Sequence, residues 1–317
     1  MKIIFLGTPE FAVPSLDILV QNGYEIPAVI TVPDKPAGRG QKLNESAIKK
    51  YAVSKGLKVL QPIRLSTPEF LDEVSALQAD LQIVVAFRMM PEALWAMPHF
   101  GTFNLHGSLL PQYRGAAPIN RAVMNGEPFT GVTTFFLKHE IDTGNIVFRR
   151  EISIGPDETA GELHDRMMFI GAELVLETVK ALESGSMVLH PQTDYISPGE
   201  DLKTAPKIFK EDCRLDFSKS VDQLHNQVRG LSPFPGAFFE LEMPDGQILQ
   251  IKVGHSTKER AGTVLTHEVL TDGKKFLKIS AADGFLNIIE LQLPGKKRMK
   301  IEEVLRGFKF PETARIR

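Results

Sequence analysis

The chain has 317 residues, 43% of them hydrophobic and 24% charged, enough apolar material for two separately buried cores in an ordinary globular protein. Its formal net charge is −2 and its single cysteine is Cys213, which excludes an intrachain disulfide and a cysteine-rich metal site. Ile3 to Leu6 is too short an apolar run for a signal peptide, and the longest apolar stretch, Leu81 to Met97, is cut by Arg88 and Pro91, so no membrane span is expected and the setting is read as cytoplasmic.

In chain order, Lys2 to Leu6 reads as a buried strand ended by Gly7, with Thr8-Pro9 as N-cap and first-turn proline of a helix. Only Gly7 of a Gly-x-Gly-x-x-Gly fingerprint is present, which argues against a nicotinamide dinucleotide. Ile26 to Val32 is a second strand. Pro33 to Lys42 follows as a loop with two prolines, two glycines and the cations Lys35, Arg39 and Lys42, a composition typical of functional or solvated loops. Asn44 is the expected cap of a helix through Tyr51, and Thr67-Pro68 opens another. Leu81 to Phe87 is a dense strand with Arg88-Met89-Met90-Pro91 at its carboxyl end, where open parallel sheets bind ligands. Thr130 to Leu137 and Asn145 to Ile152 pair antiparallel around a turn at Asp142, and Thr159-x-x-Glu162 is a capping box for a long helix ending at Gly185.

Residues 190–206 lack apolar periodicity and read as a linker. Beyond them, Val221, Leu224, His225 and Val228 share one helix face, and short alternating runs lie at 237–243, 247–253, 262–267, 276–280 and 285–293. Asp245-Gly246 and Asp272-Gly273 suit tight hairpins. The expected architecture is α/β: a Rossmann-like, mostly parallel catalytic domain over 1–189, the linker 190–206, and a smaller β-barrel of oligonucleotide-binding (OB) type over 207–317. Charge differs between the parts. Residues 206–317 carry 19 Lys and Arg against 15 Asp and Glu, whereas residues 1–205 carry 18 against 24, so a polyanion is expected on the second.

The stretch richest in chemistry is Phe103-Asn104-Leu105-His106-Gly107-Ser108-Leu109-Leu110-Pro111, continued by Tyr113-Arg114-Gly115. An apolar run ends in an amide and an imidazole, and a proline then stops regular structure, so polar groups are presented where a buried strand surfaces. Downstream, Ile141-Asp142-Thr143-Gly144 supplies a carboxylate in a turn. Taken alone, a strand-end histidine is most often a satisfied buried side chain, and an aspartate in Asp-x-Gly a turn former. Together, Asn, His and Asp point to acyl-group chemistry. His139 has no second spaced ligand pair, so no metal is expected, and there is neither a Gly-x-Ser-x-Gly elbow nor a phosphate loop.

The pattern from Asn104 to Pro111, with Arg114-Gly115 and Asp142-Thr143-Gly144, resembles the folate-dependent formyltransferases. Phe5 to Ala12, Pro33 to Gly40 and Pro294-Gly295-Lys296-Lys297 resemble the members of that family that act on methionyl-tRNA. The resemblance implies transfer of a formyl group from 10-formyltetrahydrofolate, a co-substrate, to the α-amino group of methionyl initiator tRNA, by a monomer that needs no membrane. It implies Asn104, His106 and Asp142 as the catalytic residues. Asn104 would donate to the oxyanion, a contact worth about 2.7–4 kcal/mol; His106 would move the proton, and Asp142 would fix the imidazole tautomer and favour its protonated form. Phe87, Arg88, Met89 and Ser108 to Pro111 (Ser108, Leu109, Leu110, Pro111) would contact the folate, although Ala86-Phe87-Arg88 stands where the family has Ala-Tyr-Gly. The tRNA would meet Arg39, Lys42, Lys207, Lys210, Lys296, Lys297 and Arg298, with the 33–42 loop closing as an arm on the acceptor end. Pro233-Phe234-Pro235-Gly236 also matches and is read as structural. The rivals are a formyltransferase for a small amine and a non-catalytic RNA-binding module. The basic second half opposes the first, and the intact Asn104, His106 and Asp142 oppose the second.

Overall fold

The computed structural model describes residues 1–37, 42–262, 268–311 and 315–317. The chain forms two compact units, and neither is one stretch of sequence. The first comprises Met1–Pro118, Gly131–Ile152 and His164–Thr204; the second comprises Ile119–Thr130, Ser153–Leu163 and Ala205–Arg317.

In chain order the strands of the earlier part are β1 (Ile3–Gly7), β2 (Val29–Ile30), β3 (Lys35–Ala37), β4 (Lys42–Asn44), β5 (Val59–Leu60), β6 (Leu81–Val85), β7 (Thr102–His106), β8 (Arg114–Gly115), β9 (Phe129–Phe136) and β10 (Ile146–Ser153). Seven of them make one sheet in the order β10-β9-β7-β6-β1-β2-β5. The run from β7 to β5 is parallel, and β9 joins β7 antiparallel, giving the Rossmann-like α/β unit expected. Ile3, Ile4, Phe5 and Leu6 are all fully buried, as is Ile83. Continuous burial rather than alternation is what a central parallel strand requires, because helices cover both of its faces. Strand order reverses between β1 and β6. Gly7 pairs with Val85 and Val85 with Leu105, so the carboxyl ends of β1, β6 and β7 are level, which is where such sheets place their sites.

The helices are α1 (Val13–Gln21), α2 (Ala47–Ser54), α3 (Pro68–Ser75), α4 (Glu92–Trp95), α5 (Pro118–Met124), α6 (Ala160–Glu183), α7 (Val221–Leu231) and α8 (Ile301–Leu305). The cap of α2 is Ser46, whose Oγ accepts from Lys49 N at 3.2 Å, and not Asn44, which is paired in β4 with Lys35. The capping box that starts α6 is present: Glu162 N donates to Thr159 Oγ1 at 3.2 Å and Thr159 N to Glu162 Oε2 at 2.8 Å. The hydrogen bond from Thr159 N, and then that from Thr159 Oγ1 to the same oxygen, hold the Glu162 carboxyl below its usual range. β2 is shorter than the expected 26–32 run because Pro27 has no N–H to give the ladder.

The segment expected as an irregular arm is in part a ribbon. Lys35 pairs with Asn44, Pro36 with Leu43 and Ala37 with Lys42, antiparallel, which satisfies backbone groups that a loop would leave to water. Its base is fixed at Asp34, which accepts from Lys49 and from Gln61 Nε2 and is held below the usual carboxylate range, first by the Lys49 contact.

The later strands are β11 (Thr204–Ala205), β12 (Ala237–Glu242), β13 (Ile248–Arg260), β14 (Val269–Thr271), β15 (Leu277–Ala281), β16 (Gly284–Gln292), β17 (Met299–Lys300) and β18 (Arg315–Ile316). All but β11 form one antiparallel sheet, in the order β14-β15-β16-β13-β12-β18 with β17 on β16, curled into a nearly closed barrel. Leu224 and Val228 of α7 pack into its core with Phe239, Ile251, Leu286 and Ile288. β13 continues to Arg260, whereas the alternation suggested an end at Val253; register shifts around His255 break the alternation and hide the continuation. Most of the run expected over 262–267 lies outside the described residues, and the next strand is β14.

Candidate active site

β7 delivers Asn104 and His106 to the carboxyl edge of the sheet, two residues apart and therefore on one face. His106 is buried, 6% exposed, with Phe135 edge-on beneath it. Its Nε2 lies 2.9 Å from the carbonyl oxygen of Tyr113. Its Nδ1 lies 3.8 Å from Asp142 Oδ2. The half-buried Asn104 amide has no hydrogen-bond partner among the described residues, so its donors are available to a bound oxygen.

Tyr113 and Asp142 face the two ring nitrogens, and both hold left-handed backbone, with φ 59 and 56. Each such non-glycine residue costs about 1–3 kcal/mol and persists only where its surroundings over-determine it. For Asp142 those surroundings can be named. Gly115 N donates to Asp142 Oδ2 at 2.9 Å. Gln192 Nε2 donates to the carbonyl oxygens of Asp142, at 2.7 Å, and Gly144, at 2.9 Å. Arg114 in turn forks onto Gln192 Oε1 from Nε at 3.0 Å and Nη2 at 2.6 Å. The glycine of Asp142-Thr143-Gly144 is set by close approach, since a Cβ on Gly144 would stand 1.6 Å from the Phe136 carbonyl oxygen.

Gln192 is 5% exposed and was not among the sequence candidates. It lies in the stretch expected as linker, part of which is packed in the first unit: Gln192–Tyr195 is a 3-10 turn, and His190 bridges Ile146. A carbonyl oxygen can only accept, so the Tyr113 oxygen favours a hydrogen on Nε2, while Asp142, expected to fix the tautomer, faces the other ring nitrogen.

The positions expected to hold folate are less uniform. Arg88 donates to the carbonyls of Pro62 and Ile63, at 2.5 and 2.9 Å, and Phe87 packs against the core cluster that includes Leu60 and Leu94. Met89 is 74% exposed. Ser108 is fully buried with Oγ on the Gln112 carbonyl at 2.6 Å, Leu110 packs with Phe135 and Ile146, and Pro111 is buried. Most of these side chains are thus engaged in packing or hydrogen bonds within the protein. Leu109 lines a cavity of about 590 Å³ with Arg149, Glu151, His190 and Tyr195. A second cavity of about 610 Å³ lies along Leu60, Pro62, Ile63 and Phe70, and Asn104, His106 and Asp142 line neither. Among the described residues no group of His, Cys, Asp and Glu could hold a metal ion, and no helix is long and apolar enough to cross a membrane.

Of the cations expected at tRNA, Arg39 lies outside the described residues and Lys42 is described only as backbone of β4. Lys207 and Lys210 sit over the rings of Phe209 and Phe238, at 5.7 and 6.0 Å. Lys296 and Lys297 are exposed, and Arg298 donates to the Pro233 carbonyl at 3.3 Å.

Residues 1–179 match the formyl transferase family and residues 207–309 match the formyl transferase C-terminal domain. The methionyl-tRNA formyltransferase of Bacteroides fragilis is 49% identical over 318 aligned positions, covering 100% of this chain and 98% of its own length. That of Parabacteroides distasonis is 51% identical, over 98% of this chain and 96% of its own. Among solved structures, an N-formyltransferase from Helicobacter canadensis, crystallised with folinic acid and dTDP-3-aminofucose, aligns with a TM-score of 0.66 at 21% identity, over 94% of this chain and 100% of its own.

Proposed function

The chain belongs to the formyl transferase family, and on that premise we infer that Asn104, His106 and Asp142 are the residues with which it moves a formyl group. Its reaction is transfer of the formyl group of 10-formyltetrahydrofolate to the α-amino group of methionyl initiator tRNA, for initiation of translation. The neutral amine attacks the formyl carbon, a carbon–nitrogen bond forms, and the carbonyl electron pair moves onto oxygen. Asn104 donates its amide hydrogen to that oxyanion. Collapse breaks the bond to N10 of the folate. His106 takes the proton shed by the attacking nitrogen and returns one to the departing N10, with Asp142 facing the ring while it is charged.

The observation that carries the reading is the convergence at the end of β7: an amide with no hydrogen-bond partner among the described residues and a buried imidazole on one strand face, with Asp142 Oδ2 3.8 Å from the ring. We assign Arg39, Lys42, Lys207, Lys210, Lys296, Lys297 and Arg298 to tRNA phosphates, and backbone at 86–89 and 108–111 to the folate. The enzyme works as a monomer in the cytoplasm. The test is transfer of labelled formyl from 10-formyltetrahydrofolate to methionyl initiator tRNA beside small amines such as an amino-sugar nucleotide. Labelling of the small amine alone would replace this reading with the rival one.

A further inference from the structure

The turn between α7 and β12, Ser232-Pro233-Phe234-Pro235-Gly236, holds a phenyl ring in water: Phe234 is 81% exposed. The segment that carries it is tied down. Ser232 O accepts from Gly161 N at 3.0 Å and Gly236 N donates to Leu231 O at 2.9 Å. Between them, Pro233 O accepts from Arg298 Nη2 and Pro235 O from Lys252 Nζ, each at 3.3 Å. Two prolines with fixed φ flank the ring, so little backbone freedom remains to be lost when something binds it.

Both side chains that clamp the turn are cations. Arg298 lies along the backbone of Gly254, where a Cβ would come within 2.7 Å of its Cδ and Nε. It continues the exposed pair Lys296 and Lys297, and among the described residues none of Lys252, Lys296, Lys297 and Arg298 has a carboxylate partner. A rigidly displayed aromatic ring beside unpaired cations is the arrangement that binds single-stranded nucleic acid, the ring stacking on a base while the cations meet the flanking phosphates. In a duplex the base faces are already covered, so only an unpaired nucleotide offers one.

We propose that Phe234 is a stacking platform for an unpaired nucleobase of the RNA substrate, with Arg298 and Lys252 neutralising the adjoining phosphates. This rests on the assignment of methionyl-tRNA as substrate and adds an apolar contact to it. Stacking of this kind is sequence-tolerant, because every base has a π face.

The test uses the full chain with Phe234→Leu and Phe234→Trp. The Leu variant raises KM for methionyl-tRNA roughly 5- to 150-fold, the range for loss of one stacked base, while kcat and the KM for 10-formyltetrahydrofolate stay at wild-type values. The Trp variant restores KM, and its added fluorescence is quenched by tRNA. The slope of log affinity against log salt is the same in wild type and the Leu variant, because stacking releases no counterions. A wild-type KM in the Leu variant overturns the platform. So does a shallower salt slope in that variant, which would mean a disturbed cationic patch. Wild-type protein that leaves methionyl-tRNA unformylated overturns instead the functional reading beneath the proposal.

Discussion

The carbonyl oxygen of Tyr113 lies 2.9 Å from His106 Nε2, and since a carbonyl only accepts, this contact favours the tautomer with its hydrogen on that nitrogen. Nδ1 is the ring nitrogen that faces Asp142 Oδ2, at 3.8 Å. In 15N-labelled protein the neutral His106 ring is expected as the Nε2–H tautomer, and the opposite tautomer would remove Tyr113 from its role. His106→Ala and Asp142→Asn are each expected to lower kcat at least about 100-fold with little change in Tm. Near-normal turnover in either variant would take that residue out of the mechanism.

Gln192 is expected to be a positioning residue. It donates to the carbonyls of Asp142 and Gly144 and accepts from Arg114, so Gln192→Leu leaves several half-buried polar groups without a partner, at about 1–3 kcal/mol for each one left unsatisfied. Gln192→Glu keeps the acceptor for Arg114 but loses both donors. Both variants should lose turnover comparably, with KM for the folate donor little changed. If the Glu variant retained wild-type kcat, the hold on Asp142 would not depend on this amide.

How far these residues could be read in advance follows from where they sit. Asn104 and His106 were legible because one strand carries both and a proline stops the chain just past them. Asp142 was legible because Asp-Thr-Gly marks a turn. Gln192 was not, because it lies 50 residues beyond Asp142 in a stretch without periodicity, and only the folded chain brings the two together. Arg88 was expected at the folate from the resemblance and from its place after a buried strand; the carbonyls of Pro62 and Ile63 that its guanidinium meets could not be foreseen, because a distant segment contributes them. In the barrel, β12, β13, β15 and β16 were legible from alternation, with the end of β13 hidden by the shift near His255, whereas the short β14, β17 and β18 carry too few residues to show a pattern.

His225 is expected to make the second unit acid-sensitive. It is 2% exposed, between Ser256 Oγ and Asp157 Oδ1, each 3.1 Å from a ring nitrogen. Burial pushes its pKa below the ordinary 6.5, helped by the positive charges of Lys258 and Arg229 and opposed by the exposed Asp157. Just below that ordinary value the unfolded chain binds more protons than the folded one, so stability falls with falling pH. Tm should drop between about pH 7 and pH 5, and His225→Gln should remove part of that drop. An identical pH profile in the variant would locate the sensitivity elsewhere.

The exposed ammonium groups of Lys296 and Lys297 give the cleanest test of where tRNA phosphate is held. Deleting the chain after Pro206 would be a poor one, because Asn120 bonds to Gly230 O, Arg121 to Asp212, and Asp157 to His225 within the second unit, so the cut would strip partners from segments left behind. Substituting Arg298 also confounds two effects, since it clamps the Pro233 carbonyl and packs on Gly254. Among the described residues Lys296 hydrogen-bonds only through its backbone, and the Lys297 side chain makes no hydrogen bond or ion pair. Each phosphate contact adds a counterion-release contribution of roughly 0.7–0.9 to the slope of log affinity against log salt. Lys296→Gln with Lys297→Gln should therefore weaken tRNA binding most at low salt and flatten that slope by the corresponding amount, with folate affinity and Tm unchanged. Parallel salt plots for the double variant and the wild type would mean that the cluster is a solvated face and that the phosphates are gripped elsewhere.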